Sequence, residues 1–154
     1  MPLRFVDPGN LLIDSDNNLV VTDRGGNRVY RVNADGSRDP IAGNGTTNNV
    51  VDATPALNNG IYGVRGIWFL PNKGYLLATH EGSQILYVDP AGIIHVFVNG
   101  SQGNTHSGDG QWFYGPTPKI AEARSVTLDN SGNILIVEND AGFVRRIRFQ
   151  RLIP

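Results

Sequence analysis

Two arginines, Arg65 and Arg124, each stand just ahead of an apolar run, Gly66-Ile67-Trp68-Phe69 and Ser125-Val126-Thr127-Leu128. Guanidinium groups brought together would cradle a carboxylate or a phosphate, because each presents a planar fork of donors suited to oxyanions. Ion pairing with Glu81 or Glu138 is the competing use of the same side chains. The dipeptide His80-Glu81 sets an imidazole beside a carboxylate, able to supply a metal ligand and a base, zinc or calcium being the candidate ions, and equally suited to a solvated turn. Asp23, Arg24, Glu138, Asn139 and Asp140 fall in turns of the same kind. Trp112-Phe113-Tyr114 places three large aromatics in a polar loop, where they either anchor a partner or pack beneath the loop. His95 and His106 have no partner at ligand spacing and are expected to be structural or exposed.

The elements that position these residues come from a chain of 154 residues, the length of one domain. Apolar residues make up 40% and charged residues 18%, enough for a packed core. The 19 glycines and 9 prolines follow no collagen-like period and point to many turns. Cysteine is absent, which excludes disulfide scaffolds, thiolate metal sites and cysteine nucleophiles. A net charge of -1 offers no general attraction for nucleic acid or an anionic membrane. The basic cluster Arg145, Arg146, Arg148 and Arg151 does not change this, since neighbours 145 and 146 point to opposite sides of a strand and no aromatic stacking motif accompanies them. No apolar run reaches 18 residues, and the N-terminus lacks the apolar core of a secretory leader, so a soluble chain without a membrane span is expected and the compartment stays open.

The chain repeats. An offset of 56 carries Leu11-Leu12-Ile13-Asp14 onto Ile67-Trp68-Phe69-Leu70, and a further 59 carries that onto Val126-Thr127-Leu128-Asp129. The same offsets align Leu19-Val20-Val21-Thr22-Asp23 with Tyr75-Leu76-Leu77-Ala78-Thr79 and Ile134-Leu135-Ile136-Val137-Glu138. They also align Arg28 to Val32 with Gln84 to Val88 and Phe143 to Ile147. Each run is short, rich in β-branched and aromatic residues, and bounded by Asn, Asp and Gly, the pattern of strands joined by tight turns. A fourth strand follows in the first two repeats, most clearly at Ile93 to Val98. Four-stranded units at this period predict an all-β chain of eleven or twelve strands, a β-propeller of antiparallel blades in one domain. The blades are expected over residues 5–43, 61–99 and 120–154.

The residues also resemble a known family. Val21-Thr22-Asp23-Arg24-Gly25-Gly26-Asn27-Arg28-Val29 is similar to the signature between the second and third strands of NHL repeats. Ala42-Gly43-Asn44-Gly45-Thr46 and Ser107-Gly108-Asp109-Gly110 resemble the glycine-rich segments that close such repeats. The pattern is broken by Gln111 to Tyr114, by the longer loop at Asn58 to Gly63, and by Thr79-His80-Glu81 where the family prefers Asp. The resemblance implies a propeller whose members include RNA binders and lyases that use histidines with a metal at the channel.

Three blades do not close a ring that needs four to eight. Either two copies pair to give six blades about a two-fold axis, or the chain is part of a longer propeller. The long loops 43–65 and 99–124 share one face with the turns after each second strand, and binding residues concentrate on such loops. The expected function is a non-catalytic binding scaffold, its ligand or protein partner held on that face by Arg65, His80, Glu81, Trp112, Arg124, Glu138 and Asn139. The alternative is a metal-dependent lyase or hydrolase at the channel mouth.

Overall fold

The computed structural model describes residues 3–100, 106–112, 119–139 and 142–148. Twelve strands form three antiparallel sheets among them. Blade 1 is β1 (Pro8–Ile13), β2 (Leu19–Asp23), β3 (Arg28–Val32) and β4 (Arg38–Ala42) in sequential order. Blade 2 is β6 (Val64–Phe69), β7 (Tyr75–Thr79), β8 (Gln84–Val88) and β9 (Ile93–Asn99). Blade 3 contributes β10 (Ala123–Leu128), β11 (Ile134–Glu138) and β12 (Phe143–Ile147). A 3-10 turn at Ala56–Asn58 is the one helical element described, and no helix is long and apolar enough to cross a membrane.

The repeat expresses itself as face-to-face packing. Blade 2 is covered on both sides, so every residue of β7 is buried and the strand reads as an unbroken apolar run rather than an alternation. Tyr75, Leu77, Leu86 and Val88 meet Val20 and Val29 of blade 1 in one core. Leu76, Ala78 and Ile85 point the other way, into a second core with Val126, Ile134 and Ile136 of blade 3. One pattern therefore serves twice: residues equivalent to Leu76, Ala78 and Ile85 cover the following blade, and those equivalent to Leu77 and Leu86 meet the preceding one.

One strand goes beyond the four expected per blade. The connection between blades 1 and 2 contributes β5 (Thr54–Pro55), which pairs with the outer strand β9, Thr54 opposite Ile94. The amide of Ala53 donates to the Ile94 carbonyl, and the amide of Val96 donates to the Asp52 carboxylate at 2.8 Å. The loop lengthened at Asn58 to Gly63 thus serves an edge whose amides and carbonyls would otherwise face solvent.

The Asn, Asp and Gly turns form as their chemistry dictates. Asp14 and Asp129, at equivalent positions, each bend back to accept the amides of residues two and four further on, Asp16 and Asn18 in one case, Ser131 and Asn133 in the other. The N-terminal segment lies on blade 1, where the Phe5 ring meets Tyr30 at a tilt and Arg38 sits over both rings.

Candidate functional site

All three innermost strands carry a β-bulge at the same repeat position. The register slips between Pro8 and Asn10, between Val64 and Gly66, and between Ala123 and Ser125, leaving Gly9, Arg65 and Arg124 as the extra residues. A bulge re-aims the side chain it carries. The innermost strands β1, β6 and β10 lie side by side, so Arg65 and Arg124 come together at the mouth of the axis. Burial first, then proximity to Arg124 and Arg24, holds the Arg65 guanidinium below its ordinary pKa, against the pull of Asp7 and Glu81. In blade 1 the position is Gly9, where a Cβ would lie 3.1 Å from the Arg65 side chain; the missing side chain leaves room for the arginine stem.

Thr22 holds this bulge in place from the neighbouring blade. Its fully buried hydroxyl accepts the Asn10 amide at 2.8 Å and donates to the Arg65 carbonyl at 2.8 Å.

Around the two arginines runs a chain of charge that links the blades. Arg24 donates to Asp7 at 2.7 Å and to Glu81 of blade 2, and these hydrogen bonds raise its pKa. His80 lies between Glu81, 3.5 Å from Nδ1, and Glu122 of blade 3, 3.3 Å from Nε2. Asp7, Gly63 and Glu122 are equivalent, as are Arg24, His80 and Asn139. Their backbones repeat one contact, in which the amides of Arg24, His80 and Asn139 donate to the carbonyls of Asp7, Gly63 and Glu122. The competing partners expected for Arg65 and Arg124 are thus engaged elsewhere: Glu81 by Arg24, and Glu138 by Arg145. Among the described residues, neither Arg65 nor Arg124 has a carboxylate within ion-pair distance.

Glu138 belongs to a different constellation. It is fully buried, accepts the amide of Ala121 at 2.8 Å, and pairs with Arg145 Nε at 2.7 Å. Asp23, its equivalent, does the same work in blade 1 by accepting the amides of Val6 and Asp7. His106 joins Glu138 through Nδ1 at 2.8 Å and Asp109 through Nε2 at 2.7 Å, and stacks on Phe143. Burial opposes the protonated imidazole, but the bonds to Glu138 and then Asp109 prevail and raise its pKa. Of the two expectations for His106, structural or exposed, the contacts match the structural one: it clamps its loop to blade 3. Asp109 stands only three positions on, whereas Glu138 and Arg145 lie 32 and 39 positions away, so spacing carried no signal for those two.

Of the sequence candidates, Arg65, His80, Glu81 and Arg124 gather at the axis with Arg24. Asn139 lies at the blade-3 turn through its bond to Glu122. Trp112 is 73% exposed on its loop, while Phe113, Tyr114 and Asp140 lie outside the described residues. His95 sits on β9, stacked on Tyr87. The residues nearest to a metal site are His80, Glu81 and Glu122. The two carboxylates approach opposite nitrogens of one ring, which separates them across the imidazole, and among the described residues no three His, Asp or Glu side chains are grouped as metal ligands.

No family model and no curated protein matches the chain. Solved structures do. A protein of unknown function from Bacteroides thetaiotaomicron aligns with a TM-score of 0.70 at 15% identity, over 85% of this chain and 32% of its own. An auxiliary nutrient binding protein from the same organism gives 0.68 at 13%, over 88% and 36%. Virginiamycin B lyase from Staphylococcus aureus gives 0.56 at 16%, over 98% and 45%. The chain spans less than half the length of each. Likeness at this level concerns the fold, and that fold is of the β-propeller type.

Proposed function

We propose that this chain is a non-catalytic recognition scaffold built of NHL-type repeats, holding a small carboxylate or phosphate ligand at the axial mouth on Arg65 and Arg124. One observation carries the reading: two bulged arginines stand on adjacent innermost strands with no carboxylate at ion-pair distance among the described residues, the neighbouring Asp7, Glu81 and Glu122 pairing with Arg24 or His80. An oxyanion between them would supply the missing counter-charge through charge-assisted hydrogen bonds. The blade architecture and the string Val21 to Val29 support the repeat type. Calorimetry with inorganic phosphate and with succinate tests it. Saturable binding that weakens with salt and is lost in Arg65→Gln with Arg124→Gln is expected; heat that survives both substitutions would refute the reading.

The structural neighbours include a nutrient binding protein and a lyase, and the site favours the former class of activity. Metal-dependent chemistry at His80 and Glu81 has the weaker support, given how the two carboxylates flank the ring. Stoichiometric zinc or calcium that disappears in His80→Ala would reverse that preference.

We also propose that a second copy covers the outer faces. Leu11 and Ile13, 63% and 58% exposed, are the equivalents of Ile67 and Phe69, which meet the preceding blade. Val137 and Val144, 39% and 75% exposed, are the equivalents of Ala78 and Ile85, which cover the following one. Blade 3 of one copy therefore presents the surface that blade 1 of another is shaped to receive, and two such contacts give six blades. Sedimentation equilibrium should show a dimer that Val144→Glu dissociates, and a stable monomer would exclude it.

A further inference from the structure

Outward from the axis on the long-loop face lies a cavity of about 220 Å³, lined by Thr47, Asn48, Asn49, Tyr62, Gln84 and Asn99. Its remaining wall is the backbone of Gly82 and Gly100. Not one of the lining residues carries a charge, although Tyr62 and Gly82 adjoin Gly63 and Glu81 of the charged axial mouth. The residues around this space thus include four with carboxamides, one with a hydroxyl and one with a phenol.

This composition selects a ligand. Each carboxamide offers two donors and an acceptor, so the lining presents both polarities in alternation. A carboxylate or phosphate would use only the donors, and a cation only the acceptors. A ligand that matches both without net charge carries several hydroxyl groups, each a donor and an acceptor at once. Tyr62 adds an aromatic surface for the carbon-bound hydrogens of such a ligand. The volume lies below the roughly 300 to 1,000 Å³ typical of drug-sized sites, a size suited to a single ring.

The cavity is also built rather than incidental. Gln84 is 9% exposed, and its Nε2 donates to Asn99 Oδ1 at 3.0 Å, which fixes both carboxamides. Its own amide donates to the Thr79 hydroxyl at 3.0 Å, anchoring the start of β8. The loop bearing Asn48 packs on Gly60 so closely that a Cβ there would fall 2.4 Å from the Asn48 carbonyl oxygen. On the opposite wall, a Cβ on Gly100 would fall 2.3 Å from the Ser83 carbonyl oxygen. Backbone contact at these two glycines holds the amide-bearing loops in register.

We propose that this cavity is a second binding site, separate from the axial arginines, for a neutral polyhydroxylated ligand: a monosaccharide or the terminal ring of a glycan. A ligand this small, held by hydrogen bonds that replace those to water, binds with a dissociation constant on the order of millimolar.

The test is a nitrogen-15 NMR titration of the full chain with D-glucose, D-galactose and D-mannose, followed at the side-chain carboxamides. Saturable shifts at Gln84 and Asn99 are expected for at least one sugar, unaffected by salt. Gln84→Leu should weaken binding about tenfold or more, the loss of roughly one hydrogen bond. Asn49→Ala, on an exposed loop position, should weaken it without touching the core. Lys73→Ala, at a short turn on the opposite face, should leave it unchanged. No saturable shift with any of the three sugars would overturn the proposal, as would shifts that persist in both cavity variants. Binding of glucuronate alone, abolished by Arg65→Gln, would also overturn it by assigning sugar recognition to the axial arginines.

Discussion

Gly63 and Glu122 occupy the same place in successive repeats, and both adopt the left-handed backbone, with φ of +64° and +41°. Glycine takes this conformation freely, whereas a side chain there costs roughly 1 to 2 kcal/mol. Blade 3 carries that strain at the residue that faces His80. Glu122→Gly should therefore be more stable than Glu122→Ala by about 1 kcal/mol, although both lose the same carboxylate. Chemical denaturation of the two variants measures the difference.

Thr22 should act on the oxyanion site without touching the ligand. Thr22→Val keeps the shape and removes the hydroxyl that accepts the Asn10 amide and donates to the Arg65 carbonyl. A loss of about 1 to 3 kcal/mol in stability is expected from the unsatisfied buried groups. Phosphate or succinate affinity should fall too, as the bulge loses its tether, whereas Thr22→Ser should restore both. Parallel unfolding and calorimetry check it.

Asp23 ties three amides, those of Val6, Asp7 and Gly26, at the entrance to β1. Asp23→Ala should destabilise the chain by roughly 1 to 2 kcal/mol, since the donors it leaves are only partly buried and regain water. The loss should appear in hydrogen exchange at Val6 and Asp7 before it appears in blade 3.

The blades were legible because each is a local object. Runs such as Tyr75-Leu76-Leu77-Ala78-Thr79 and their turn residues occur together, and alternation with equal offsets suffices to predict the sheets. The bulges were not, because a slip at Gly9, Arg65 and Arg124 depends on pairing with another strand. Placing the arginines on neighbouring innermost strands was a matter of symmetry between repeats. Their bareness was hidden, since only three dimensions show Glu81 turned towards Arg24 and Arg145 standing on the strand that faces Glu138. The amide cavity combines four separate segments, none with a motif of its own.

His106 makes blade 3 sensitive to pH. A carboxylate at each ring nitrogen requires both to donate, so the folded chain prefers the imidazolium. Its pKa is raised above the ordinary 6.5, so the stabilisation is complete below that value and fades as pH rises through the folded pKa. Besides Glu138 and Asp109, Arg145 faces the ring and opposes the charge. The melting temperature of the native chain should fall relative to His106→Gln between pH ~6 and ~8. Proton NMR of the imidazole resonances gives the titration directly, and a midpoint below 6.5 would contradict the geometry.

The strand β5 has a mechanical meaning. A row of blades that touch only through their faces can come apart one blade at a time, as beads slide from a string. Here the polypeptide leaving blade 1 is stitched to the far edge of blade 2, so peeling β9 away first requires pulling out the segment that leads back to β4. Blades 1 and 2 are consequently fastened to each other by backbone pairing as well as by their faces, whereas the described ties of blade 3 to blade 2 are its packed face and the contacts of Glu122 with His80 and Ser83, so blade 3 is expected to open first.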